Sequence, residues 1–395
     1  MKAAGALVVA ADPEEAGRLA VREALASLGD SAPSFGVLFA SADFLRSAEA
    51  LVRAVAAQTG PLPLIGCVAE SVVGGGREVE SGPAVSLWLA AELGAVETFA
   101  MEFIRTPSGG AVGGYRFDPG RTGVHLMICD PFTFPADVLM AHLNERVAGT
   151  VVMGGLASGG LALRQSVLFL DGRVTSNGAV GAYLPEAEVH TLVSQGCRPV
   201  GEPYTITQAE GNMIHGLGGR PPLERLQELA AALPARDQEL LARGLHVGMA
   251  INEYQAERHQ GDFLIRSVIG AEQQSGAIVV GDDVEVGQTL QFQVRDADSA
   301  DADLRRTLRA EIAALDGRRA AGALLFTCNG RGSRLFAEPD HDAGLIATML
   351  GGIPVAGLSC AGELGPVAGR NYLHGFTASI ALFPAAPQPH VIPRP

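Results

Sequence analysis

PVAGLSCAGELGP, residues 354–366, begins as a short apolar run and then breaks into glycines that bracket Ser359, Cys360 and Glu363. Two other stretches have the same make-up, PLIGCVAES at 63–71 and VVMGGLASGG at 151–160. Each is preceded by an apolar run and a helical pattern: FGVLFAS (35–41) with DFLRSAEALVRAVAAQ (43–58), GVHLMICD (123–130) with ADVLMAHLNERV (136–147), and GALLFTCNGRG (322–332) with HDAGLIATML (341–350). Each is followed by an outer apolar run, AVSLWLA (84–90), GAVGAYL (178–184) and HGFTASIALF (374–383). The intervals from Phe39 to Gly66, Ile128 to Gly154 and Phe326 to Gly357 are 27, 26 and 31 residues. Similar intervals in the same order indicate an internal repeat. Each copy is read as a strand, a helix crossing back to a second strand, a glycine turn and an outer strand.

Around these repeats the chain reads as an α/β protein with mixed sheets in two domains. Its 395 residues are long for one core. Between the second and third copies the pattern turns to short strands and to a helix pair that starts at PPLERLQELAAAL (221–233), with Leu223, Leu226, Leu229 and Leu233 on one face. The expected division is 1–225, 226–385 and a proline-rich tail at 386–395.

Composition excludes several chemistries. A net charge of -14 argues against a phosphate-binding surface, so nucleic acid is not an expected partner. Lys2 is the only lysine, which leaves no phosphate-loop or Schiff-base lysine outside the N-terminus. No GxGxxG or GxxxxGK[ST] appears, and no cofactor is expected. The five scattered cysteines form no CxxC pair, which fits reduced thiols and a cytoplasmic location. No apolar stretch approaches the roughly 20 residues that span a bilayer.

The turn at 357–362 lacks the spacing of a nucleophile elbow, which asks for GxSxG and a following helix. Cys360 stands near Glu363, and a carboxylate raises a thiol pKa where catalysis needs it lowered. In EPDHDAGL (338–345) the acids Glu338, Asp340 and Asp342 gather around His341, but Asp340, immediately before a helix, is read as a cap and the group is not read as metal ligands. A different property stands out: Glu70 follows the first turn, Ser158 the second and Glu363 the third. If the copies pack around one centre, these side chains and the amides bared by glycine converge on a cavity suited to a small polar ligand. CNGRGSRLF (328–336) adds Asn329 and Arg331, whose guanidinium is expected to bind a carboxylate bidentately opposite Glu363.

The ordered series PLIGCVAES, VVMGGLASGG, GCRPVGEPYTIT with GNMIH, CNGRGSRLF, HDAGL and PVAGLSCAGELGP resembles the FIST family, with FIST N and FIST C domains in tandem from about Ser34 to Phe383. The resemblance implies a sensory domain that binds a small ligand, amino acids being one class, with a separate signalling protein as its output and no catalysis. The resemblance extends to Gly66, Cys67, Glu70, Gly154, Gly155, Arg331 and Glu363, and with Ser158, Asn329, Ser359 and Cys360, which come from the residues alone, these are the expected ligand-binding residues. The alternatives are an interaction scaffold in signalling and a thiol-dependent enzyme using Cys360 or Ser359 beside His341.

Overall fold

The computed structural model describes residues 1–106, 109–255 and 257–386. Compact packing divides the chain into two units elsewhere than at residue 225. One contains Met1–Val193, Arg306–Leu373 and the chain from Ala378; the other contains Ser194–Arg305 with His374–Thr377. Of the expected tail, all but Ala386 lies outside the described residues.

The first copy of the repeat runs β1 (Lys2–Val9), α1 (Pro13–Leu28), β2 (Phe35–Ser41), α2 (Ala48–Thr59), β3 (Leu64–Ala69), β4 (Val72–Gly74), β5 (Arg77–Val79) and β6 (Ala84–Ala91). Asp12 caps α1 by accepting from the Glu15 amide at 2.7 Å, with Pro13 at the first helical position. The helix buries Ala16, Ala20, Val21, Ala24 and Leu28 against the sheet. The second copy runs β7 (Glu97–Thr106), β8 (Gly109–Gly113), β9 (Val124–Cys129), α3 (Ala136–Arg146), β10 (Val151–Leu156), β11 (Leu168–Leu170), β12 (Arg173–Thr175) and β13 (Ala179–Leu184).

The third copy starts at β14 (His190–Gln195), and the second compact unit then interrupts it in sequence. That unit holds β15 (Cys197–Pro199), β16 (Tyr204–Glu210), β17 (Met213–Leu217), α4 (Pro222–Ala232), α5 (Ala235–Arg243), β18 (His246–Ala250), β19 (Phe263–Glu272), β20 (Ala277–Val280) and β21 (Thr289–Arg295). Its strands pair antiparallel in the order β15-β21-β16-β17-β20-β19-β18, and β18 returns to β21, so six of them form a closed ring. Ile206, Ile214, Val247, Ile278, Leu290 and Phe292 fill that ring. After α6 (Ala297–Ala314) the third copy resumes with β22 (Ala320–Cys328), α7 (His341–Leu350), β23 (Val355–Cys360), β24 (Glu363–Val367), β25 (Arg370–His374) and β26 (Thr377–Pro384).

In all three copies the two inner strands pair in parallel, β2 with β3, β9 with β10 and β22 with β23. The outer strand adds antiparallel on the far side of the first inner strand. The small hairpin after each glycine turn does not stay with its own copy. β4–β5 pairs with β23 of the third, β11–β12 with β3 of the first, and β24–β25 with β10 of the second. The three sheets are therefore linked in a cycle around a shared core that includes Phe39, Met153, Leu126, Phe326 and Leu358.

The repeated glycine explains how the parallel strands fit. A Cβ on Gly66 would stand 1.8 Å from the Leu38 carbonyl oxygen, one on Gly154 1.8 Å from that of Met127, and one on Gly357 2.2 Å from that of Leu325. Each faces its neighbour in register. Glycine is required here because the backbone of the first inner strand occupies the side-chain position.

Candidate functional site

The exchanged hairpins bring the three glycine turns together. The Ser158 hydroxyl accepts from the Glu70 amide at 2.9 Å and donates to the Ser359 carbonyl. The Ser359 hydroxyl accepts from the Ser71 amide at 3.0 Å, and the Ser359 amide donates to the Ser71 carbonyl at 3.1 Å. Each hydroxyl here serves a backbone group, so Ser158 and Ser359 hold the turns to one another.

Beside this junction a small cleft of about 40 Å³ opens at the carboxyl ends of β3, β22 and β23, the end of a parallel sheet where ligands bind in open α/β folds. Glu70 and Ser71 come from the first copy, Asn329, Arg331 and Arg334 from the loop after β22, and Ser359 from the end of β23. The β4–β5 hairpin contributes Glu78 and Glu80. Its two-residue turn, Gly75–Gly76, has φ values of +56° and +77°, the conformation of a hairpin turn that favours glycine.

Arg331 is placed by a buried ion pair. Its Nε meets Asp342 Oδ2 at 2.6 Å and its Nη2 meets Oδ1 at 2.8 Å, with Arg331 3% and Asp342 0% exposed. Thr327 Oγ1 donates to the same carboxylate at 2.9 Å, and His341 Nδ1 lies 2.9 Å from it while its ring stacks on Phe336. Burial alone would drive the Asp342 pKa up; the Arg331 charge and hydrogen bonds outweigh it and hold the carboxyl well below its usual range. Burial likewise opposes the Arg331 charge, and Asp342 more than offsets it. The remaining guanidinium nitrogen, Nη1, is buried with no hydrogen-bond partner among the described residues. The fork expected to receive a ligand carboxylate is thus already filled by the protein's own Asp342, and the Nη1 amino group of Arg331 is left over.

The acids are held with equal care. Glu80 accepts from the Ser333 amide at 2.8 Å and from its hydroxyl, and Gly332, at φ +58°, leaves room for this carboxylate: a Cβ there would stand 2.5 Å from Glu80 Oε1. Arg334 pairs with Glu70 and donates to the Asn329 carbonyl at 2.8 Å. Glu78 accepts from the Ala343 amide at the start of α7 at 2.9 Å, while its own amide donates to Asp340 at 2.6 Å. Burial first, and the Asp342 charge second, raise the Glu78 pKa to about 7 against the lowering effect of the α7 amides. A carboxyl raised in the fold stabilises the protein most below its unfolded value of about 4.3, and that stability is lost as pH rises through 7. Glu78→Gln, which keeps the acceptor for Ala343, is expected to raise the melting temperature relative to the parent more at pH 8 than at pH 5. Parallel melts of the two proteins across that range read the difference, and an equal offset at both ends would refute the assignment.

The other residues singled out from the sequence lie elsewhere. Gly66 and Gly154 serve strand packing, and Gly155 sits under Cys360, where a Cβ would meet the sulfur at 2.4 Å. Cys67 and Cys360 are fully buried, and burial pushes both thiols up, with Glu363 adding to the effect on Cys360. Glu363 is wholly buried in β24 opposite Gly155 and does not line the cleft, although its charge acts on Arg331. Instead of Glu363, the acids that reach the cleft are Glu70, Glu78 and Glu80. The pair Glu78 and Glu80 was signalled by VVGGGREVE (72–80), an apolar run, a glycine turn and a charged run.

The FIST N domain matches residues 34–220 and the FIST C domain residues 222–366. The chain belongs to the FIST family. FIST domains are regarded as sensory, ligand-binding domains. This FIST protein is 49% identical over 374 residues to an uncharacterized protein of Mycobacterium tuberculosis strain H37Rv, covering 95% of this chain and 97% of the relative. It is 48% identical over 372 residues to one of Mycobacterium bovis, covering 94% and 96%. The FIST N match ends just before α4, inside the second compact unit, so the sequence domains and the compact units divide the chain differently. No helix among the described residues of this FIST protein is long and apolar enough to cross a membrane.

Proposed function

We propose that the cleft between Glu70, Glu80, Arg331 and Arg334 receives a small zwitterion, of the amino-acid class, and that the protein is a binder that reports to a separate signalling protein, without catalysis. The observation that carries this reading is Arg331 Nη1, a buried donor with no partner among the described residues, in a residue that lines the cleft. A buried donor left unpaired carries a desolvation cost that a ligand acceptor would relieve. Carboxylates on the facing hairpin give an ammonium group its counterpart. The space holds roughly three water molecules, which sets the ligand at the size of the smallest amino acids.

Calorimetric titration of the full chain with glycine, serine and alanine, and with their amides and N-acetyl derivatives, tests the proposal. Saturable binding that is lost on blocking either end of the ligand, and weakened about tenfold by Arg334→Gln or Glu80→Gln, is the expected result. Equal affinity for the blocked forms, or no effect of either substitution, would overturn it.

A further inference from the structure

A second cavity, of about 430 Å³, lies between α3 and the β7–β8 hairpin. Its volume falls in the range of small-molecule sites, and its lining has their character. Phe103, Phe117, Met101, Leu139 and Leu143 supply apolar walls. Tyr115 stacks on Phe99 with ring centroids 3.9 Å apart and meets Phe117 edge-on at 5.1 Å, so the aromatic wall is held by its neighbours. The Tyr115 hydroxyl is engaged by His125 Nε2 at 3.3 Å. Gly110 lets the Phe103 ring fold across the hairpin, since a Cβ there would stand 2.1 Å from that ring.

Charge at this cavity is one-sided. The protein carries 43 acidic residues, yet among the described residues no carboxylate lines the cavity, and its basic lining groups are Arg116 and His142. Arg116 is largely exposed and pairs through Nε with Asp118 at 3.0 Å, outside the lining. Val138, on the rim, leaves an apolar side chain 58% exposed.

We infer that this cavity is a second ligand site, for a small planar aromatic carboxylate, with the ring among Phe103, Tyr115 and Phe117 and the carboxylate at the Arg116 and His142 rim. Flat rings gain from offset or edge-on contact with such a wall, and arginine is suited to a carboxylate. The site differs in size and chemistry from the polar cleft and stands independently of what that cleft binds.

Titration of the full chain with phenylacetate and with neutral 2-phenylethanol provides the test. Phenylacetate is expected to bind saturably and about tenfold more tightly than the alcohol. The pair Arg116→Gln and His142→Gln should remove that preference while leaving the alcohol's affinity unchanged. Val112→Trp, which fills the cavity, should abolish both, and Val138→Trp at the exposed rim gives a second obstruction if the first variant fails to fold. No saturable binding, equal affinity for acid and alcohol, or undiminished binding in a folded tryptophan variant would overturn the inference.

Discussion

Asp342→Ala is expected to destabilise the FIST protein by about 3 to 5 kcal/mol, the cost of leaving one partner of a buried ion pair uncompensated. The guanidinium of Arg331 would remain in the interior with both of its charged bonds removed. Thr327 and His341 would lose the same acceptor. Urea unfolding of the parent and variant measures the loss. The double substitution Arg331→Met with Asp342→Leu should recover much of it, because removing both charges leaves none to solvate. Recovery of stability without recovery of ligand binding would separate the structural part of this pair from its part in the cleft. A single variant as stable as the parent would show that Arg331 reaches water or another anion, contrary to the packing described. The pair also has a pH signature. Asp342 is depressed in the fold, so its contribution is present above its unfolded value of about 3.9 and is lost on acidification.

Gly66→Ala is expected to cost about 3 kcal/mol or more, at the upper end of what overpacking does. The added methyl would meet the Leu38 carbonyl oxygen at 1.8 Å, and a backbone atom inside a paired strand cannot swing aside as a side chain can. Gly357→Ala, 2.2 Å from Leu325 O, should behave alike. Gly60→Ala is an informative contrast: it meets open space, and its cost would come from a φ of +69° alone. Thermal melts of the three variants give the order. If Gly66→Ala lost no more than Gly60→Ala, the close approach of strands would not be what fixes glycine in the repeat.

The three copies were legible because hydrophobic runs, helical spacing and glycine recur at similar intervals, and all three were found as strand, helix, strand and outer strand. Meeting of the turns could be posed from the sequence as a condition only, since pairing between distant strands leaves no local mark. The sequence singles out Arg331 but does not pair it with Asp342. A pair formed across a loop and the start of a helix follows no fixed spacing, unlike neighbours on one helix face. Glu363 was placed in the cleft because it follows the turn; the β24 pairing with β10 buries it instead. The closed antiparallel ring of the inserted unit was not foreseen either, because alternating strands announce themselves but not their closure.

The cyclic exchange of hairpins bears on how such a chain is made. β4, near residue 72, finds its partner in β23, near residue 358, so the hairpin of the N-terminal copy has an unpaired strand edge until the third copy has left the ribosome. Joining segments so far apart is slow for entropic reasons, and a nascent chain halted midway would display an open strand to any passing neighbour.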